Sequence, residues 1–157
     1  MHPRASRLRV ATALGSGLLL LAITAGGTAA AKPAELFVID IDLDTGIETF
    51  VADHPLLCES GDSFTSFEFA AGFRGAAGTF HLTKELVCDD GSGSFVIRVD
   101  AAANFVVGVG TLGGWSVVPG SGTGDYVGLR GGGSVVGLNT NTEGVDLIDH
   151  YYGTLRQ

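Results

Sequence analysis

Three residues from distant parts of the chain have the types and the local spacing to do chemistry together: Lys84, Asp149 and Tyr151. In the run Phe80 to Val87, read as a strand, Phe80, Leu82, Lys84 and Leu86 fall on one face, because strand side chains alternate with period two. A lone ammonium on such an apolar face is costly unless it is paired. In the run Val145 to Leu155, the residues Val145, Leu147, Asp149 and Tyr151 share a face, so Asp149 is a candidate partner. An interior Lys84–Asp149 pair beside Tyr151 would orient a polar ligand or support acid/base work. The competing arrangement is a β-bulge at Lys84-Glu85 that turns the lysine outward, and the nearness of Cys88 favours the bulge.

Other polar motifs fail on their own chemistry. Asp40-x-Asp42-x-Asp44 invites a calcium reading, but an EF-hand loop starting at Asp40 needs glycine and glutamate where Thr45 and Val51 stand. On a strand these carboxylates lie about 7 Å apart along one face, too far for shared coordination, so they read as a solvated acidic face. Gly108-Val-Gly-Thr-Leu-Gly113 matches a dinucleotide fingerprint literally. That fingerprint requires a following helix, and Gly114-Trp-Ser-Val-Val-Pro119 does not read as one. There is no Gly-x-Ser-x-Gly nucleophile elbow. His54, His81 and His150 are well separated and show no short metal-ligand spacing. The sequence therefore indicates neither a metal nor another cofactor, and no catalytic residue can be assigned.

The address and the redox state come from the start of the chain and from the cysteines. Residues 1–31 read as a secretory signal: Arg4, Arg7 and Arg9, an apolar run from Val10 to Ile23, and Ala29-Ala-Ala31 as a small-residue cleavage site before Lys32. This places the protein outside the cell and leaves residues 32–157 as one domain. The chain carries a formal net charge of −8. Cleavage would remove three of nine basic residues and none of the seventeen acidic ones, giving −11. Such a surface repels nucleic acid and anionic lipid. No later segment is apolar for the roughly 18 residues a spanning helix needs, so no membrane association is expected after cleavage. Cys58 and Cys88, thirty positions apart, read as one disulfide in an oxidising compartment.

Elements that could position these residues are short β-branched and aromatic runs separated by Gly, Asp, Asn and Ser. Glu35 to Leu43 places Phe37, Ile39, Ile41 and Leu43 on one face and Val38, Asp40, Asp42 and Asp44 on the other. Asp44-Thr-Gly46 turns into Ile47 to Val51, a hairpin with apolar-in and acidic-out alternation. Phe64 to Phe73 follows, with Thr65, Phe67, Phe69, Ala71 and Phe73 on one face, then Phe80 to Val87. Phe95 to Ala103 turns Phe95, Ile97, Val99 and Ala101 one way, and Asn104 to Val109 continues it or stands apart. Trp115 to Val118, Tyr126 to Leu138 with a glycine kink, and Val145 to Leu155 complete about eight strands. That spacing implies an all-β antiparallel sandwich or a closed barrel.

Leading into the last two of these runs, and overlapping the first of them, is Gly120 to Gly133, with seven glycines in fourteen residues. Helix is disfavoured there by about 1 kcal/mol per glycine, and no Gly-Lys-Ser/Thr follows to cradle phosphate, so the stretch reads as a turn and kinked strand. Its core, Gly122-Thr-Gly-Asp-Tyr-Val-Gly-Leu-Arg-Gly131, with Tyr151-Tyr-Gly-Thr-Leu155 in the last strand, resembles the hallmark of small secreted bacterial proteins related to the allene oxide cyclase and dirigent barrels. The resemblance covers the second half of the domain and implies a single antiparallel eight-stranded barrel. Three functions follow as expectations. One is a barrel that binds a small apolar molecule, with Lys84, Asp149 and Tyr151 as its polar contacts. Another is a cyclase- or dirigent-like enzyme acting on a hydrophobic substrate. The last is a structural or surface-interaction protein with a filled core. Oligomeric state leaves no readable seam.

Overall fold

The computed structural model describes residues 33–74, 77–104, 109–142 and 144–157, with the side chains of 67–77, 103–109 and 141–143 outside the description. The expected signal, residues 1–31, and the expected facing of Phe67, Phe69, Ala71 and Phe73 therefore lie outside the described residues. Eight strands follow one another: β1 (Ala34–Asp42), β2 (Ile47–Ala52), β3 (Ser60–Arg74), β4 (Ala77–Cys88), β5 (Ser94–Asn104), β6 (Val109–Val117), β7 (Arg130–Thr142) and β8 (Val145–Arg156). Each pairs antiparallel with the next, and β8 pairs with β1, which closes the sheet into a barrel. Closure leaves no strand edge to be capped. No described helix is long and apolar enough to cross a membrane.

Alternation builds the interior. Phe37, Ile39 and Ile41 on β1 are buried, as are Phe95, Ile97, Val99 and Ala101 on β5 and Leu147, Asp149 and Tyr151 on β8. On β2 the expected facing is reversed. Phe50 is buried while Ile47 and Val51 are 61% and 55% exposed. The register explains this: Ile39 opposes Phe50 and Ile41 opposes Glu48, and directly opposed residues point to the same side of a sheet. Glu48 is thereby turned inward. β6 begins at Val109 rather than Trp115, so residues 109–113 of the glycine motif are strand and the strand, not a helix, continues to Val117; Gly108 lies outside the described residues. Tyr126 lies in a short 3-10 turn, Gly124–Tyr126, so β7 starts at Arg130.

The two ends of the barrel are built differently. At one end, here the disulfide end, the loops after β2, β4 and β6 meet. Cys58 and Cys88 form the expected disulfide there. The Tyr126 hydroxyl accepts a hydrogen bond from the Cys58 amide at 2.9 Å and lies 3.1 Å from both Cys88 Sγ and Ser92 Oγ. The loop after β6 docks against the loop after β4 backbone to backbone: Asp125 N donates to Ser92 O at 2.9 Å and Thr123 N to Ser94 O at 2.8 Å. Gly124 has φ +55°, and a Cβ there would stand 2.0 Å from Ser92 O, so only glycine fits the contact. The Gly120–Gly133 stretch is thus the turn and strand entry that its composition implies.

At the other end, the turn end, β1 passes into β2. Asp42 Oδ1 accepts hydrogen bonds from the amides of Asp44 and Thr45, and Asp146 Oδ2 accepts one from Leu43 N at 2.8 Å. The bonds from Thr45 and Asp44 hold the Asp42 carboxyl below its ordinary value. These acidic residues shape the turn. Among the described residues no group of three His, Cys, Asp or Glu side chains is arranged to hold a metal.

Candidate ligand site in the barrel interior

A cavity of about 90 Å³ occupies the turn end of the barrel. Its walls are mainly apolar, from Ile41, Phe80, Leu82, Val99, Ala101 and Leu147, and it carries five polar side chains: Glu48, Thr65, Lys84, Thr111 and Asp149. The cavity also touches Leu43, which is 57% exposed and marks its way out.

Lys84 points into this cavity. The β4–β5 register runs without a shift, and the β3–β4 shifts lie between Phe67 and Phe69 and between Ala71 and Arg74. There is no bulge at Lys84-Glu85, so the outward-turned lysine is corrected: its alternation with Leu82 and Leu86 simply continues. Lys84 is 2% exposed. Its Nζ donates to Glu48 Oε2 at 2.6 Å and to Thr65 Oγ1 at 2.7 Å. Thr65 directly opposes Lys84 on β3, and Glu48 comes from β2, one strand further. Ser63 Oγ donates to the same Glu48 oxygen at 3.0 Å. The direct partner expected for Lys84, Asp149, is replaced by Glu48. With both side chains out of water, 3% and 11% exposed, the pair is held by charge and by the β3 hydroxyls together.

Asp149 is the second polar group of the cavity. It is 4% exposed and stands in register between Gly137 on β7 and Ile39 on β1. Gly137 in turn opposes Thr111 on β6. A Cβ on Gly137 would lie 2.3 Å from Asp149 Oδ1 and 2.7 Å from Thr111 Oγ1, so the missing side chain is the space into which the carboxylate leans. Burial raises the Asp149 carboxyl above its ordinary value; the Lys84 charge and the Thr111 hydroxyl pull it back, and Glu48 pushes it up again. Although Thr111 is near, Asp149 Oδ1 has no hydrogen-bond partner among the described residues. Its other oxygen accepts a long bond of 3.5 Å from the Tyr151 hydroxyl. Tyr151 is fully buried, and its phenol is pushed well above its ordinary value by burial and by the Asp149 and Glu48 charges.

Below the polar layer an aromatic layer closes the barrel. Phe37 stacks on Tyr151 at 4.5 Å, and Trp115 meets the two rings edge-on at 5.4 and 6.0 Å. Trp115 Nε1 donates to Tyr152 O on β8 at 3.1 Å, reaching across β7. Gly133 directly opposes both Trp115 and Gly153 and leaves the way clear for that reach. The layer separates the cavity from the disulfide end.

Lys84, Asp149 and Tyr151 are thus brought together in one interior site, while Cys58 and Cys88 lie at the far end. Glu48, Thr65, Thr111 and Gly137 belong to the site and were not singled out from the sequence. Glu48 had one legible signal, its position two residues before Phe50. No protein-family model, curated protein or solved structure matches the chain.

Proposed function

We propose that this protein is a secreted barrel that binds a small, mostly apolar molecule in the cavity at its turn end. The observation that carries the reading is the cavity itself, about 90 Å³ of mainly apolar-walled space with buried charged side chains in its lining. Ligand sites combine these two features: apolar walls for affinity and a few fixed polar groups for orientation. Three charge-bearing side chains, Glu48, Lys84 and Asp149, inside one barrel are a poor way to gain stability, since well-packed apolar residues of similar volume often do as well or better. The size bounds the ligand. An apolar cavity of about 150 Å³ accommodates benzene, so the enclosed part takes a smaller group and the rest of the molecule extends past Leu43. Secretion is supported by the signal-like residues 1–31 and by the disulfide. The likeness of the glycine-rich stretch to allene oxide cyclase and dirigent barrels agrees with an interior site.

Filling the cavity tests the reading. Ala101 lines it and is buried, so Ala101→Leu should abolish the n-butanol-induced shifts of the Ile41, Val99 and Leu147 methyl resonances while leaving the protein folded. Unchanged n-butanol binding by the folded variant would remove the cavity as the site.

A second reading, a cyclase- or dirigent-like enzyme, has one observation behind it. Asp149 is a buried carboxyl with a raised pKa beside Tyr151, and that shift is in the direction a general acid needs. Turnover of a hydrophobic substrate that is lost in Asp149→Asn would favour it over simple binding.

A further inference from the structure

The polar groups of the cavity are not in balance, and the imbalance specifies the head group of the ligand. Glu48 Oε2 already accepts from Lys84 and Ser63, and Lys84 donates to Glu48 and Thr65. Among the buried side-chain atoms of the described residues, Asp149 Oδ1 has no hydrogen-bond partner, although its residue is 4% exposed and lines the cavity. A buried acceptor left without a donor is costly, and more so when charged. Charge gives the same answer. Among the described cavity-lining residues, two carboxylates face one ammonium, so the ionised site holds one uncompensated negative charge. A carbonyl or carboxylate head would add a further acceptor and leave Oδ1 unmet. An alcohol would supply a donor and leave the charge.

We propose that the ligand is a small primary amine bound as its ammonium ion, with the nitrogen against Asp149 Oδ1 and a short hydrocarbon body against Ile41, Leu82, Val99 and Leu147. An ammonium group supplies the missing donor and brings the interior to neutrality. The Thr111 hydroxyl, beside the same space, is a second acceptor for its three N–H groups. The protein's net charge of −8 attracts such a cation from solution. This inference rests on the cavity being a ligand site, and its test separates the two.

The experiment is a methyl-NMR titration of the disulfide-intact protein with n-butylammonium, n-butanol and n-butyrate, reading the cavity-lining methyls. At neutral pH n-butylammonium should bind at least about tenfold more tightly than n-butanol, as expected for pairing a cation rather than a neutral hydroxyl with the buried carboxylate, and n-butyrate should not saturate. Asp149→Asn should remove the preference, leaving n-butylammonium no tighter than n-butanol. If the variant does not fold, the unmodified protein titrated at falling pH is the substitute. Protonating Asp149, with Glu48, Lys84 and Tyr151 facing it, should erase the preference for the amine. Equal or tighter binding of n-butanol, or an amine preference that survives in Asp149→Asn or at low pH, overturns the amine assignment and leaves the cavity standing. No response of the lining methyls to any of the three probes overturns both.

Discussion

At the disulfide end, the Tyr126 hydroxyl accepts from the Cys58 amide, its ring packs against Phe95 at 5.2 Å, and it lies beside the disulfide that ties the loop after β2 to the end of β4. At the turn end, Asp149 is as well buried as Tyr126 but keeps an oxygen without a partner beside an open space. Both regions bury polar groups. In one, each polar group named has a partner within the chain, and the result is a plug. In the other the account is left one donor short, and the result is a site. Buried polar atoms in folded proteins nearly always find partners, so the exception points to what binds there rather than to what holds the fold.

The largest effect that would sharpen this contrast comes from Lys84. Replacing it by methionine leaves Glu48 buried without its cation, and Lys84→Met should lose about 3–5 kcal/mol in denaturant unfolding. Removing the charge of Glu48 as well, in Lys84→Met/Glu48→Gln, should recover most of that loss. A single variant as stable as the parent would mean that the pair is solvated and the interior site as described is wrong. Next in size is the disulfide. The chain-entropy argument assigns a thirty-residue closure roughly 3.5 kcal/mol, so Cys58→Ser/Cys88→Ser should unfold at lower denaturant. Below its transition the variant should still bind n-butanol with unchanged affinity, because the aromatic layer stands between the two ends. Loss of binding in the folded variant would break the separation.

The smallest expected effect is on the pH profile. Burial raises the Asp149 carboxyl above the ordinary 3.8, so the folded state holds this proton more tightly than the unfolded one. Its contribution to stability is full below the ordinary value and is lost as pH rises through the raised one. Subtracting the unfolding profile of Asp149→Asn from that of the parent should reveal a stability difference that declines across this window. A difference that is flat, or that grows with pH, would place Asp149 in a solvated setting.

Much of this arrangement was legible in the sequence, and the gaps have physical causes. Uninterrupted alternation in β1, β5 and β8 identified the buried faces and turned Asp149 inward. For Lys84 on β4 the same alternation offered an inward position, but the sequence favoured a bulge that would turn it outward, and the register shows none. β2 misled because two of its apolar residues, Ile47 and Val51, share the outward face, and only the register with β1 decides which set points in. β6 was read too short because Gly110, Gly113 and Gly114 dilute its strand pattern. Gly113 is required by packing, since a Cβ there would stand 2.3 Å from Asp100 O. Glu48 escaped because an acidic residue beside a turn reads as surface, and nothing local reveals that a lysine two strands away needs it.

Xenon tests the division between the ends most directly, since it enters apolar cavities with little regard for polar groups. In a crystal of the disulfide-intact protein pressurised with xenon, density should appear between Ile41, Leu82, Val99 and Leu147, and none within the packing of Phe95, Tyr126 and Leu129. Xenon at the disulfide end, or no xenon at the turn end, would contradict a barrel plugged at one end and built to receive a ligand at the other.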